Sequence, residues 1–325
     1  MILITGGAGY IGSHTLKLLA NSGQDCLVFD NFSTGHRDFL KWGQCFEGDL
    51  RDPAALEQVF GAYPISAVIH FAAKAYVGES FEDPQKYYDN NVVGSFNLLS
   101  AMRNHGVDKI IFSSTCAIYG QPSQIPISEA EPPDPINPYG RTKRMIEQLL
   151  IDYQQAYGLN YAILRYFNAA GADPELEVGE RHLPETHAIP LAIETALGQR
   201  ESFSIFGDDY DTADGTCVRD YIHVSDLARA HQLALKWLLA NDQSEIFNLG
   251  CNQGFSVKEM VQAVAQVSGR QFKVNQAPRR PGDPPSLISD YQKAQEVLGW
   301  KPEYTDLKQI IQSAWDWQQQ ESQRG

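Results

Sequence analysis

The first half of this sequence predicts an α/β fold: a doubly wound parallel sheet with helices on both faces. Three observations carry that prediction. Apolar runs of strand length alternate with amphipathic helical stretches over residues 1–168. A turn with the spacing G-x-x-G-x-x-G (Gly6, Gly9, Gly12) follows the first run and opens the first helix. The second run ends in an acid, Asp30, eighteen residues beyond Gly12.

The elements follow in order. Met1 to Ile4 reads as a buried strand, and Thr5–Gly12 as the turn. The helix after it runs through Leu16, Leu18 and Leu19 to Gly23. Glycines let the backbone approach a pyrophosphate whose charge sits at the helix N-terminus, so this Rossmann-type turn predicts a dinucleotide site. Cys26–Phe29 is the second strand. A carboxylate at its end accepts from a ribose 2′-hydroxyl and repels a 2′-phosphate, which favours NAD over NADP, although Arg37 lies close by. A third strand near Cys45–Glu47 leads to Asp49-Leu50, an acid and an apolar side chain suited to an adenine amine and ring, while Asp52 suits a helix cap. Ala67–Ala73 is a fourth strand, ending in small residues. A long helix is expected from about Asp83 to Asn104, with Asn90 and Asn91 in its polar part. Lys109–Phe112 is a fifth strand, ending in Ser113-Ser114-Thr115. Hydroxyls at the carboxyl end of such a strand stand where an open parallel sheet binds ligand. After a Pro-rich loop comes a helix from Pro138 to about Tyr157, then a sixth strand, Tyr161–Arg165.

Tyr139 and Lys143 lie on one face of that helix, a turn apart. A free phenol has a pKa of about 10, so only about 0.1% is ionised at neutral pH, and lowering it by about three units takes roughly 4 kcal/mol. One cation about 5 Å away at an effective dielectric near 20 supplies about 3 kcal/mol. Lys143 together with an oxidised nicotinamide would therefore make Tyr139 a usable base.

Beyond Asn168 the pattern changes. Residues 171–186 are loop-like and charged, with a helix near 188–197, a strand near 203–206 and an acidic loop over 208–219. The expected organisation is a nucleotide-binding domain over 1–168, with a later segment near 215–240 returning to it. A smaller C-terminal α/β substrate lobe covers 169–325 and carries Arg219, Arg279, Arg280 and Asp283. His182 and His187 read as loop histidines rather than metal ligands, for want of Cys or carboxylate partners at ligand spacing.

Composition narrows the partners. The chain has 325 residues, 43% hydrophobic and 20% charged, with a net charge of −14 and no Lys/Arg-rich run. That argues against general binding to nucleic acid or anionic membrane. Five scattered cysteines without C-x-x-C predict free thiols in a reducing cytosol. No stretch reads as a signal peptide or a membrane span, so a cytoplasmic location is expected.

The stretches TGGAGYIGSH (5–14), HFAA (70–73), FSST (112–115), NPYGRTK (137–143), LRYFN (164–168), DGTCVRDYIHVSDLA (214–228) and RRPGD (279–283) together resemble the extended short-chain dehydrogenase/reductase superfamily, and within it the branch of UDP-sugar 4-epimerases, essentially end to end. The resemblance implies inversion at C4 of a UDP-sugar, UDP-galactose to UDP-glucose, through a transient 4-keto sugar with tightly bound NAD. Tyr139 would be the base, Lys143 would hold the ribose and tune Tyr139, and Thr115 would hydrogen-bond the sugar hydroxyl. Gly6, Gly9, Tyr10, Ile11, Gly12, Asp30, Asn31, Asp49, Leu50, Phe71, Ala72, Asn90 and Phe167 would contact NAD. Asn168, His187, Phe206, Arg219, Arg280 and Asp283 would hold the UDP-sugar. A homodimer through the helices near 83–104 and 139–157 is also implied.

Two positions depart from the family pattern. Lys74 comes one residue before the usual cationic position, where Ala75 stands, and Leu287 occupies a place that limits sugar bulk. UDP-xylose/UDP-arabinose epimerisation is the nearest alternative. A dehydratase would need an acid pair after Thr115, where Cys116-Ala117 stand. A non-catalytic NAD-sensing protein would need no Tyr/Lys pair.

Overall fold

The computed structural model describes residues 1–280 and 282–324. Pro281, within the RRPGD stretch, and Gly325 lie outside the described residues. The first half contains β1 (Ile2–Thr5), α1 (Tyr10–Asn21), β2 (Cys26–Asp30), β3 (Gln44–Glu47), α2 (Pro53–Ala62), β4 (Ala67–His70), α3 (Val77–Glu82), α4 (Pro84–Tyr87), α5 (Gly94–Asn104), β5 (Lys109–Thr115), α6 (Pro138–Tyr157) and β6 (Asn160–Tyr166). The second half adds β7 (Asn168–Ala170), α7 (Ala188–Leu197), β8 (Phe203–Phe206), β9 (Val218–Arg219), β10 (Tyr221–His223), α8 (Val224–Ala240), β11 (Glu245–Leu249), β12 (Phe255–Ser256), α9 (Val257–Ser268), β13 (Val274–Ala277), β14 (Ser286–Leu287), α10 (Gln292–Leu298) and α11 (Leu307–Arg324).

Seven strands form one parallel sheet in the order β11-β6-β5-β4-β1-β2-β3. The direction of winding reverses between β1 and β4, and in open sheets the ligand crevice lies there, beyond the carboxyl ends. Both faces are covered, which is why these strands are unbroken apolar runs. Ile2, Ile4 and Val28 face one core with α1 and α8; Leu3, Leu27 and Phe29 face the other with α2, α5 and α6. A separate core joins α7, α9 and α11 through Ile193, Met260, Val264 and Ile311.

The chain leaves the sheet after β6 and returns to add β11 beside it. Asp220, between β9 and β10, ties the two parts. Its buried carboxylate accepts from the backbone N–H groups of Cys251, Asn252 and Ser289 and from the Ser289 hydroxyl.

The long helix expected over 83–104 is interrupted by a wide π-type turn at Tyr88–Val93, between α4 and α5. Such turns leave backbone and side chains oriented differently from a regular helix. Here it places Asn91, fully buried, so that its amide accepts from Lys74 N (2.8 Å) and donates to Lys74 O (3.0 Å) and the Thr142 hydroxyl (3.1 Å). Asn91 thereby clamps the segment after β4 to α6.

Candidate active site

The glycine turn is a cradle made by contact. Gly6 has φ +74°, and a Cβ there would lie 2.6 Å from Ala72 N. A Cβ on Gly12 would overlap the Gly6 carbonyl. Side chains are thus excluded where a pyrophosphate would meet the first turn of α1, so the residues fit a dinucleotide. At the end of β2, Asp30 accepts from the backbone N–H of Ala8 (3.0 Å) and Phe32 (2.8 Å), which aim its carboxylate beside the turn. Burial pushes its carboxyl above the usual range, and those two N–H groups work against the push. Arg37 bonds Glu47 at 2.6 Å and stacks on Phe32. A 2′-phosphate at Asp30 would have to draw it away from Glu47.

Asp49, the residue expected at the adenine amine, is already engaged. Its carboxylate already receives the Arg51 guanidinium (3.0 and 2.9 Å) and the Asn31 amide (2.9 Å). Arg51 foremost holds it well below the ordinary carboxylate range. Leu50 beside it is buried, and Asp52 caps α2 by accepting from Ala54 N. Phe71 and Ala72, next to β4, donate their N–H groups to Thr5 O (3.0 and 3.1 Å). Asn90 donates to the Asn91 side chain and reinforces the clamp. Ile11 is half-buried on α1, while Tyr10 donates to the Gly171 carbonyl (2.5 Å). Lys74 reaches Ser33 (3.1 Å), back toward Asp30.

Across the crevice, β5 ends in Ser113-Ser114-Thr115 and α6 begins beside it, with Asn137 as cap (Gly140 N to Asn137 Oδ1, 2.7 Å) and Pro138 in its first turn. Tyr139 and Lys143 are both buried on the same face. Lys143 Nζ donates to the Ser113 carbonyl (2.7 Å) and lies 6.0 Å from the Tyr139 ring centre. Burial brings its ammonium down from 10.5 to about 7, with Glu147 opposing. Burial also pushes the Tyr139 phenol above its ordinary value, and the contact with Thr115 pulls the other way.

Lys143 alone does not make Tyr139 acidic; the expectation paired it with an oxidised nicotinamide. Its ammonium is itself desolvated and committed to Ser113, so depressing the phenol falls to a further cation. An oxidised nicotinamide is such a cation.

Under the pair lies a polar network that sequence reasoning missed. Arg165 grips Glu147 with two bonds (3.0 and 2.7 Å), Ser114 donates to the same carboxylate (2.6 Å), and Arg165 also donates to the Tyr119 hydroxyl (2.9 Å). Glu147 stands one turn after Lys143; the i, i+4 spacing was the available signal. Ser113 and the Tyr166 hydroxyl are also in close contact.

The lobe supplies the opposite wall. Arg219 pairs with Asp283 and donates to Val218 O. Arg280 lies over the Phe206 ring, 3.8 Å from its centre, and Arg279 bonds Asp209 (2.6 Å). Phe167 packs with Cys116 and Leu287, and Asn168 N donates to Asp220 O (3.0 Å). Leu287 is itself buried.

His187 stands at the N-terminal end of α7, beside His182 and within reach of Glu180 and Glu185. The expectation that these histidines lack acidic partners is therefore overturned; the loop folds back so that residues two to seven apart converge. All five cysteines are free, and among the described residues no helix is long and apolar enough to cross a membrane.

Comparison with known proteins adds the following. The family model described as the NAD dependent epimerase/dehydratase family matches residues 2–250. The chain is 54% identical over 322 residues to the UDP-glucose 4-epimerase of Rhizobium leguminosarum bv. trifolii, covering 99% of this chain and 98% of that one. The solved UDP-glucose 4-epimerase from Brucella ovis in complex with NAD superposes with a TM-score of 0.94 at 52% identity, over 97% of each chain. The enzyme from Stenotrophomonas maltophila, with bound NAD and formylated UDP-arabinopyranose, does so with a TM-score of 0.96 at 38% identity, over 100% of this chain and 99% of that one.

Proposed function

We infer the chemistry of this cleft from one premise: the chain belongs to the NAD dependent epimerase/dehydratase family. It is an NAD-dependent enzyme that reversibly inverts C4 of a UDP-sugar, interconverting UDP-galactose and UDP-glucose. The observation that carries the reading is the buried Tyr139/Lys143 face of α6 beside Thr115, across the crevice from the Gly6–Gly12 cradle.

NAD, when bound, supplies a hydride acceptor that can also return the hydride. The Tyr139 oxygen takes the proton of the 4-hydroxyl and later gives it back. Thr115 hydrogen-bonds that hydroxyl and, through Ala117 N (3.1 Å), is itself fixed at the end of β5. Lys143 holds the nucleotide ribose. Gly6, Gly9, Tyr10, Ile11, Gly12, Asp30, Asn31, Asp49, Leu50, Phe71, Ala72, Asn90 and Phe167 line the nucleotide side. Arg219 and Arg280 grip the diphosphate with charge-assisted bonds, Asp283 orients Arg219, and Asn168, Phe206 and His187 complete the uridine side. With the UDP end anchored, the 4-keto sugar can turn its other face before the hydride returns. The absence of an acid pair after Thr115 disfavours elimination.

Residues 1–168 with α8 and β11 serve the nucleotide, and the remaining segments serve the sugar. Two copies pair through α5 and α6, whose Phe96 and Met145, with Val93 between α4 and α5, are exposed large apolar side chains. Five free thiols suit a cytoplasmic location.

The test is incubation with UDP-galactose and no added NAD. The expected result is UDP-glucose with no net change in the reduced-nicotinamide band. Net accumulation of reduced nucleotide, or a 6-deoxy-4-keto product, would overturn the reading. A panel including UDP-arabinose and N-acetylated sugars ranks the substrates. A Phe96→Glu variant that stays dimeric in sedimentation would exclude the α5–α6 pairing.

A further inference from the structure

We propose that Glu180, His182, Glu185 and His187 form a structural binding site for one divalent transition-metal ion of the zinc class. The four come from a single loop segment, Glu-x-His-x-x-Glu-x-His, that ends at the first turn of α7. Each offers one donor atom, and the four atoms lie within 4.8 Å of one another. His182 Nδ1 is 3.3 Å from Glu180 and 3.6 Å from Glu185. His187 Nδ1 is 2.8 Å from Glu180 and 3.1 Å from Glu185. Ligands bound at about 2.0 Å in a tetrahedron are about 3.3 Å apart, and these four separations bracket that value.

The directions also fit. His182 Nδ1 is buried and, although close to both carboxylates, makes no hydrogen bond to either. That nitrogen lies 3.3 Å from one carboxylate and 3.6 Å from the other, a spacing that a shared centre would fill. Both imidazoles turn the same nitrogen, Nδ1, toward the carboxylates, and their ring centres are 5.0 Å apart. Two imidazoles exclude the all-oxygen preference of magnesium and calcium and suit a borderline ion. Two carboxylates match its charge. Four protein ligands close a tetrahedron, which is the arrangement of a structural rather than a catalytic site.

The neighbouring acids behave differently. Asp173, Glu175 and Glu177 enclose Lys17 Nζ at 2.7, 2.5 and 2.8 Å, so an internal ammonium fills that cluster. Arg181 turns away to Asp38 (3.0 Å) and Glu321 (2.6 Å). Among the described residues neither Glu180 nor Glu185 forms an ion pair with Lys or Arg. The site is walled by aromatic rings: Tyr10 and Tyr76 stand edge-on to His182. Trp317 and Gln318 donate to the Glu180 carbonyl (3.0 and 3.2 Å), linking the loop to α11. An ion here would fasten the 173–187 loop to the start of α7 and hold His187 at the lobe side of the cleft.

The test uses the nucleotide-loaded enzyme, stripped with a chelator, given Zn(II) and desalted. Wild type is expected to retain one equivalent by elemental analysis. Its melting temperature should rise by about 5 °C or more at a hundredfold excess over the dissociation constant. Co(II) in place of zinc should give the intense visible bands of a tetrahedral ion. Glu180→Gln/Glu185→Gln, which keeps shape and hydrogen-bonding capacity, should retain less than about a tenth of the metal. If that variant misfolds, the wild-type stoichiometry and Co(II) spectrum decide. Failure of wild type to retain metal, meaning that the histidines simply hold protons between the carboxylates, overturns the proposal. Equal retention by a folded double variant, or an octahedral Co(II) spectrum, does so as well.

Discussion

The two walls of the cleft hold charge in different ways. On the β5–α6 side the ionisable groups are buried, and burial sets their behaviour: Lys143 is 3% exposed and drops to about 7, while Tyr139 is pushed up. On the lobe side Arg219 is paired with Asp283 and Arg279 with Asp209, the latter two largely exposed, while Arg280 lies over Phe206. One wall is fixed by its surroundings, with Lys143 bonded to the Ser113 carbonyl. The other carries ion pairs, of which Arg279–Asp209 lies open to solvent and can exchange. The difference separates chemistry, which needs preorganisation, from anchoring, which needs exchangeable contacts.

The sharpest way to break the contrast is Tyr139→Phe. Turnover should fall by about a thousandfold, within the usual range for a lost general base, with nucleotide content unchanged when the released dinucleotide is quantified. Ordinary turnover would place the chemistry elsewhere.

Next is Glu147→Gln, beneath the fixed wall. Removing one partner of a buried, two-bonded ion pair costs about 3–5 kcal/mol, read as a lower midpoint in urea. A change below about 1 kcal/mol would mean that the network contributes little.

Lys143→Met tests burial directly, in nucleotide-free protein. Between about pH 7 and 10.5 the unfolded chain holds a proton that the folded lysine has lost, so wild-type stability rises with pH across that window. The Met variant, with no ammonium to bury, should be more stable by about 2 kcal/mol at pH 6 after discounting the lost bond to Ser113. The gain should shrink as pH climbs toward 10.5. A pH-independent difference would refute the assignment.

The smallest expected effect is on the exchangeable wall. Arg219→Lys should raise KM about tenfold with kcat nearly unchanged, because a two-bond grip on phosphate becomes a point charge. An equal fall in kcat would show that Arg219 serves chemistry as well as anchoring.

The sheet was legible because fully covered parallel strands are written as unbroken apolar runs, and Gly6, Gly12 and Asp30 mark the turn beyond β1 and the end of β2. That Tyr139 and Lys143 share a helix face was legible from their spacing, and the glycine turn and strands upstream gave that spacing its weight. Their electrostatics were not, because desolvation is a property of what surrounds them and spacing says nothing of it. The π-type turn at Tyr88–Val93 leaves no periodic signature. β9, β12 and β14 are two residues long and exist only through their partners. The acids around His182 and His187 were visible as letters, but only the doubling back of the loop makes them neighbours.

The return of β11 to the sheet has a consequence for biogenesis. While ribosomes are still making the segments after Tyr166, β6 stands as an uncapped margin, open to strand addition by another molecule. The nascent chain must emerge past Leu249 before that margin is covered, so the segments between β6 and β11 mature alongside the sheet, and a gene truncated after residue 168 would yield a sticky, insoluble product.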